Sequence, residues 1–309
     1  MKAAAPRGGY ASQARSVPAP LQRPSKAVLR FFAVYLSRYL PKHFHALRLA
    51  HAERWPCSAG PLGPLIVCVN HASWWDPMVC LRLSFFLSRA GEHYAPIDAV
   101  ALARYGLLRK LGMFPVEQGT LRGAKQFLRR ASAALARPCG VLWLTPQGSF
   151  ADVRVRPVVF RAGLDALLRR MEQVTVLPLA LEYTFWNERL PESLALFGEP
   201  LQFERGVLRG GAATQSPGAV VASALEQAQD TLAALALRRD PRAFTAIFSG
   251  RQGTGGVYGL WQRIRSAARG EGFSPEHGGV AQNAAKRADG KSSGAKGSLA
   301  TGSGAQHND

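Results

Sequence analysis

Val67-Cys68-Val69-Asn70-His71-Ala72-Ser73-Trp74-Trp75-Asp76-Pro77 is the stretch on which the reading of this chain turns. Its first residues close an apolar, β-branched run that begins near position 64 and stops at Asn-His, the pattern of a buried strand entering a turn. Asp76 stands five positions beyond His71. On a regular helix the two would lie about 140° apart, so they meet only if one of them sits on the non-helical turn. Pro77 disfavours helical backbone at the residue before it, which puts Asp76 at a boundary. A histidine that takes up a proton needs a partner to set its tautomer and to stabilise the imidazolium. The corner permits that pairing. The plainer reading is a turn histidine, with Asp76 as the N-cap of a helix starting at Pro77.

Working outward, apolar runs at 141–144 and 174–181 read as further strands. Helical patterns over Thr120 to Leu135 and Leu164 to Met171 separate them. This alternation predicts an α/β fold: one domain with a mostly parallel central sheet flanked by helices. Pro178, inside the 174–181 run, points to an edge strand or a strand end. A basic amphipathic helix over 27–40 precedes the body, and another helix runs from Ala219 to Leu237, stopping before Asp240-Pro241. The organisation expected is a disordered basic N-terminus (1–24), a membrane-associating helical segment (25–55), the body (56–245), a C-terminal helical extension (246–265) and a disordered Gly/Ala/Ser/Lys-rich tail (266–309). No internal repeat is visible.

Asn-His followed by Asp after a hydrophobic strand resembles the signature of the lysophospholipid (glycerolipid) acyltransferase family. The resemblance extends over roughly residues 60 to 200, where further blocks follow in order. It implies that His71 is the general base that deprotonates an acceptor hydroxyl and that Asp76 orients it. The family's second block, Gly-x-x-[Phe/Ile]-[Val/Ile]-x-Arg, is matched by Leu111-Gly112-Met113-Phe114-Pro115-Val116-Glu117. Glu117 thus stands where the family has an arginine associated with the acceptor's phosphate. A carboxylate there repels a phosphate and lacks the donor fork of a guanidinium; Arg122 can supply the charge from a helix. The third block, Pro-Glu-Gly-Thr-Arg-Ser and then Phe-Lys-x-Gly, is matched by Pro146-Gln147-Gly148-Ser149-Phe150 and by Phe160-Arg161-Ala162-Gly163. Gln147 keeps the hydrogen-bonding capacity of the family's glutamate without its charge, which suits positioning of the acceptor or the loop. Arg154 and Arg156 fall at alternate positions and can face one ligand together, or they are solvated loop cations. The fourth block, a strand containing proline, is matched by Val174 to Leu181.

Composition fits work at an acidic surface. The formal net charge is +19, and the first fifty residues hold nine Lys or Arg and no Asp or Glu. Such a balance calls for anionic lipid, an acidic carrier or nucleic acid. The apolar run at 27–40 is shorter than the ~20 residues a span needs. It suits a helix lying in the headgroup plane with Arg30 and Arg38 on its polar face; the alternative is a helix packed on the protein's own core. The first residues lack the apolar h-region of a signal peptide. Cys57, Cys68, Cys80 and Cys139 form no Cys-x-x-Cys pair and read as reduced thiols. His43, His45, His51, His93, His277 and His307 make no metal-ligand spacing, so no metal or other cofactor is expected.

The chemistry implied by the resemblance is attack of a lipid hydroxyl on an acyl thioester, with acyl-CoA or an acidic acyl carrier protein as co-substrate. Backbone N–H groups near the 71–76 turn or of the Gln147-Gly148-Ser149 loop are candidates to hold the oxyanion, and Asn70 is a further acceptor or oxyanion candidate. Ser73 and Ser149 lie outside any Gly-x-Ser-x-Gly elbow, which counts against an acyl-serine enzyme. Trp74 and Trp75, with Phe85 and Phe86, are candidates to line the acyl chain, though core packing explains the two phenylalanines equally well. The expected setting is the cytoplasmic side of a membrane, peripheral or monotopic. Three readings compete: a lysophospholipid acyltransferase in phospholipid synthesis; acylation of a non-phosphate acceptor such as a glycolipid, an ornithine lipid or a carotenoid glycoside; and, from another class, a basic nucleic-acid- or membrane-binding protein without catalysis. The first is the leading reading, and Glu117 and Gln147 push towards the second. The last is disfavoured by the absence of any usual nucleic-acid motif.

Overall fold

The computed structural model describes residues 21–56, 63–87, 91–211 and 215–250. The chain runs through α1 (Lys26–Tyr39), β1 (Ala46–Ala50), β2 (Leu65–Val69), α2 (Asp76–Phe86), β3 (His93–Asp98), α3 (Ala99–Arg104) and β4 (Met113–Val116). It continues through α4 (Leu121–Leu135), β5 (Val141–Leu144), α5 (Gly163–Leu168), β6 (Gln173–Thr184), β7 (Glu192–Phe197), β8 (Leu201–Glu204), β9 (Val207–Leu208), α6 (Pro217–Arg238) and β10 (Thr245–Ser249). The main sheet is ordered β10-β1-β7-β6-β2-β5-β3-β4, with β8 and β9 added on the flank of β6. From β6 to β4 the strands are parallel, β7 runs against β6 and alongside β1, and β10 runs against β1. The fold is α/β, as its alternating apolar runs predict.

Every residue of β2 is buried, because both faces of the sheet are covered. Leu65, Val67 and Val69 pack with Val79 and Leu83 of α2. Ile66 and Cys68 pack on the opposite face with Phe127 and Ala131 of α4, Leu164 of α5 and Leu225 of α6. A strand enclosed on two sides has no polar alternation, which is why it is legible as a continuous apolar run.

Pro178 is not at an edge. β6 lies between β2 on one flank and β8 and then β7 on the other. The N–H groups of Thr175 and Leu181 point towards β2, so the nitrogen of Pro178, of opposite parity, points to the other flank. It falls where β8 (up to Val176) hands over to β7 (from Leu179), and the missing donor interrupts neither ladder.

Three expected boundaries need correction. The helical segment expected over 25–55 stops at a 3₁₀ turn, Leu40–Lys42, because Pro41 cannot continue the helix. Ala46–Ala50 is then a fully buried inner strand, so the body begins at 46 and not 56. Residues 21–24, expected to be loose, pack on the body: Leu21 lies against the core and Arg23 pairs with Glu92 at 3.3 Å. The helical extension expected from 246 is instead β10 as far as Ser249, whose Ile247 is buried and whose Thr, Ile and Phe favour extended backbone. The rest of that extension, residues 1–20 and the 266–309 tail lie outside the described residues, as does Cys57. Among the described residues no helix is long and apolar enough to cross a membrane.

Candidate active site

β2 delivers His71 to the carboxyl-end rim of the parallel strands, where α/β sheets usually bind ligands. Asn70 sets the direction of the chain there. Its side chain donates to Leu181 O at 3.0 Å and accepts from Leu181 N at 2.7 Å, so an amide side chain extends the β2–β6 ladder by one rung. Asn70 is 1% exposed. It is therefore scaffold, and its expected place among oxyanion or acceptor contacts does not hold.

The 71–76 turn then folds back on itself. His71 Nδ1 lies 2.8 Å from Asp76 Oδ2, as the corner reading requires. Asp76 is not a side-chain N-cap but the first residue of α2, with Pro77 next. Its Oδ2 also accepts from Ser73 N at 3.0 Å, and its Oδ1 accepts from Tyr183 Oη at 2.7 Å. The Asp76 side chain is 2% exposed and that of His71 21%, so the carboxylate is sealed while the imidazole remains reachable. With Nδ1–H given to the carboxylate, Nε2 is left as the basic nitrogen.

Burial, and then the negative charge of Asp76, push the Cys80 thiol well above the usual range. Burial comes first for Tyr183 as well, followed by the Asp76 charge and the hydrogen bond to it; together they hold the phenol neutral. Both groups are therefore protonated neighbours of the carboxylate at any pH near neutrality.

Gln147 reaches across from the loop after β5. Its Oε1 accepts from His71 N at 2.7 Å, and Ala151 N donates to His71 O at 2.9 Å, so this loop holds the His71 peptide at both ends. A neutral carbonyl oxygen suffices for that bond, which accounts physically for glutamine at this position. Gly148 has φ +70, and a Cβ there would meet the Arg161 side chain. Its N–H donates to Thr145 O at 3.1 Å, so it is not an oxyanion donor. Ser149 is exposed beside it. In the 71–76 turn the N–H groups of His71, Ser73, Trp75 and Asp76 are all engaged. That leaves Ala72 and Trp74 as the N–H groups without a partner among the described residues.

The two arginines expected to face one ligand do not. Arg154 turns to Asp152, with Nε 2.8 Å from Oδ1 and an Nη 2.7 Å from Oδ2. Arg156 turns to Asp230 on α6 at 2.6 Å and to the carbonyls of Val153 and Val155. The segment is loop and not strand, so alternate positions share no face. Glu117 is exposed after β4, three strands from β2 and hence roughly 14 Å along the sheet. Arg122 is exposed in the first turn of α4. Trp75 packs on Phe44 at 4.9 Å between ring centroids and belongs first to the core, whereas Trp74 is 58% exposed.

Three residues escaped the sequence reading. Tyr183 lies 107 positions from Asp76; its only signal is a polar-ended aromatic closing a buried strand. Phe150 sets its ring 4.4 Å from that of His71 although the side chain is exposed. Arg161 donates to Gln118 Oε1 at 2.9 Å and ties the rim of β4 to the Gly148 turn. Among the described residues no group of His, Cys, Asp and Glu could hold a metal ion. Compared with models of known protein families the chain matches none, and no curated protein is significantly similar to it.

Proposed function

We propose that this protein is an O-acyltransferase that moves a fatty acyl group from an acyl thioester, acyl-CoA or acyl carrier protein, to a lipid hydroxyl. The observation that carries the reading is the reachable His71 imidazole fixed through Nδ1 to the sealed Asp76 carboxylate at 2.8 Å. Nε2 takes the proton of the acceptor hydroxyl as its oxygen attacks the thioester carbonyl carbon. Asp76 stabilises the imidazolium so formed. The C–S bond then breaks, and the thiolate leaves with the proton that His71 returns. The N–H groups of Ala72 and Trp74 are the turn's candidates for the oxyanion. Free-thiol release from an acyl thioester in the presence of lipid hydroxyls, with acylated product identified by mass spectrometry, tests the proposal; release that persists in His71→Ala would refute it.

On this reading the protein works at a membrane surface, peripherally or monotopically, on the cytoplasmic side. On α1, Leu36 is buried against the body while Phe31, Val34 and Tyr35 are 61%, 51% and 41% exposed between exposed Arg30 and Arg38. Apolar side chains flanked by cations suit an anionic headgroup layer. An aromatic series leads from that face to the catalytic turn: Tyr35–Tyr39 at 5.1 Å, Tyr39–Trp75 at 6.2 Å and Trp75–Trp74 at 4.6 Å. This continuity supports delivery of a lipid hydroxyl from the bilayer to His71.

For the acceptor, a non-phosphate hydroxyl is favoured over a lysophosphatidate used in phospholipid synthesis. Arg154 and Arg156 are already neutralised by Asp152 and Asp230, and Phe150 covers one side of His71. Glu117 on the rim adds a charge that repels a phosphate, and Arg161 there is already hydrogen-bonded to Gln118. In competition between a neutral and a phosphorylated acceptor the neutral one should be used at least as well, and Glu117→Arg should shift preference towards the phosphate. A strong wild-type preference for the phosphate, unmoved by that substitution, would contradict this assignment.

A further inference from the structure

We infer that Tyr183 is a positioning residue that sets how strongly Asp76 grips His71. Its hydroxyl donates to Asp76 Oδ1 at 2.7 Å, while His71 Nδ1 lies 2.8 Å from the other carboxylate oxygen. The phenol is thus one bond removed from the base and reaches no reacting atom. β6 supplies it from beside β2, and the ring is held against Phe44 at 5.6 Å between centroids. The Asn70 bridge to Leu181, two residues earlier, ties the register of β6 to the residue preceding His71. One pairing therefore aligns both ends of the Tyr183–Asp76–His71 series.

The consequence is electronic as well as geometric. A carboxylate shares its capacity as an acceptor among its donors, and hydrogen bonds in such a series influence one another. Removing the Tyr183 donor leaves Asp76 a stronger acceptor for the imidazole Nδ1–H and also frees the carboxylate to rotate. Strengthening the Tyr183 donor does the opposite to the imidazole bond. A residue that merely filled space beside Phe44 would do neither.

The rate part of the inference rests on the acyl-transfer reading; the spectroscopic part does not. In the full-length protein the downfield proton resonance of His71 Nδ1–H is identified as the one absent from His71→Ala. Tyr183→Phe keeps the ring and should move this resonance further downfield. Biosynthetic replacement of tyrosine by 3-fluorotyrosine makes the phenol a better donor without removing any side chain, and should move it the other way. This second measurement decides the matter even if Tyr183→Phe proves unstable. In turnover the freed rotation of the carboxylate, which leaves the imidazole less well oriented, should outweigh the stronger bond, so Tyr183→Phe should lower kcat about tenfold with little change in KM for the thioester. In an Asp76→Asn background the same substitution should cost nothing more. A resonance that moves under neither replacement, or losses that simply multiply in the double variant, would overturn the assignment. If the wild-type protein releases no thiol with any acceptor, the acyl-transfer reading fails, and the resonance still decides whether Tyr183 acts through Asp76.

Discussion

Asp76 receives three donors, from His71, Ser73 and Tyr183, in a place where water does not reach it. Its position at the start of α2 adds the favourable end of the helix dipole. Loss of the base, in His71→Ala, should reduce turnover by ~10²–10⁴, about 3–5 kcal/mol of barrier, with the melting temperature little changed. Asp76→Asn should fall in the same direction, because an amide can present N–H to Nδ1 and reverse the tautomer. Thiol-release kinetics beside thermal melts separate these losses from unfolding. Glu182, the neighbour of Tyr183, behaves differently. Burial raises its carboxyl above its ordinary 4.5, with the Arg154 charge opposing. The folded state therefore holds this proton more tightly than the unfolded one. Its contribution to stability is complete below the ordinary range and is lost as pH rises through the raised value. Glu182→Gln should match wild type near about pH 4 and melt higher than wild type near neutrality. Melting curves that stay parallel across that interval would show that Glu182 ionises as readily in the folded protein as in the unfolded one.

Among the elements, those legible in the sequence are the ones whose burial is complete and whose ends carry breakers. β2, β5 and β6 are apolar on both faces, α4 begins at a Thr120 cap that accepts from Gly123 N at 2.9 Å, and α6 ends before Asp240-Pro241. β1 was not legible, because Arg48 interrupts its apolar pattern. That arginine is buried against Glu192, at 2.9 Å and 144 positions away, and beneath its charge lies the Trp186 ring, 5.4 Å to the centroid. β10 was masked by the glycines that follow it, and β7 by the Glu192 and Ser193 that open it. The His71–Asp76 pair was legible because its geometry is local to one turn, whereas Tyr183 and the partners of Arg154 and Arg156 depend on how distant segments meet. On α1 one face packs on the body through Leu36 and the other is open, so packing on the protein's own core leaves a face free for the proposed membrane contact. Substituting the open face should therefore spare the fold. Arg30→Gln with Arg38→Gln should weaken binding to anionic vesicles about thirtyfold, at ~1 kcal/mol per cation. Phe31→Ser with Tyr35→Ser should weaken binding to neutral and anionic vesicles alike. Flotation that ignores both pairs would remove α1 from the proposed membrane contact.

On the scale of the whole molecule, His71 stands above β2, an inner strand of the sheet, and the outer strands protect what lies between them. β10 matters most on one side, since it pairs with β1, and β1 adjoins β7, which pairs with the end of β6 that carries Tyr183. Removing the N-terminal segment as far as residue 56 would take β1 with it, so a membrane test by that truncation would confound binding with unfolding. The same logic yields a prediction at the other end of the chain. A chain ending at residue 250 keeps β10, whereas one ending at 243 loses the ladder on β1 together with Phe244 and Ile247, which are 9% and 8% exposed. Burying two such side chains is worth at most about 3–6 kcal/mol, an upper figure because unfolded chains already hide part of that surface. Against a usual total of roughly 5–15 kcal/mol this is a large share. The shorter chain should unfold at a markedly lower denaturant midpoint. It should also self-associate, because the bared edge of β1 offers unpaired N–H and C=O groups to another copy. Denaturant titration and size-exclusion of the two truncated chains make the comparison. Equal midpoints and a monomeric shorter chain would mean that β1 holds its place without β10, and that the sheet supporting the site ends one strand earlier than its pairing indicates.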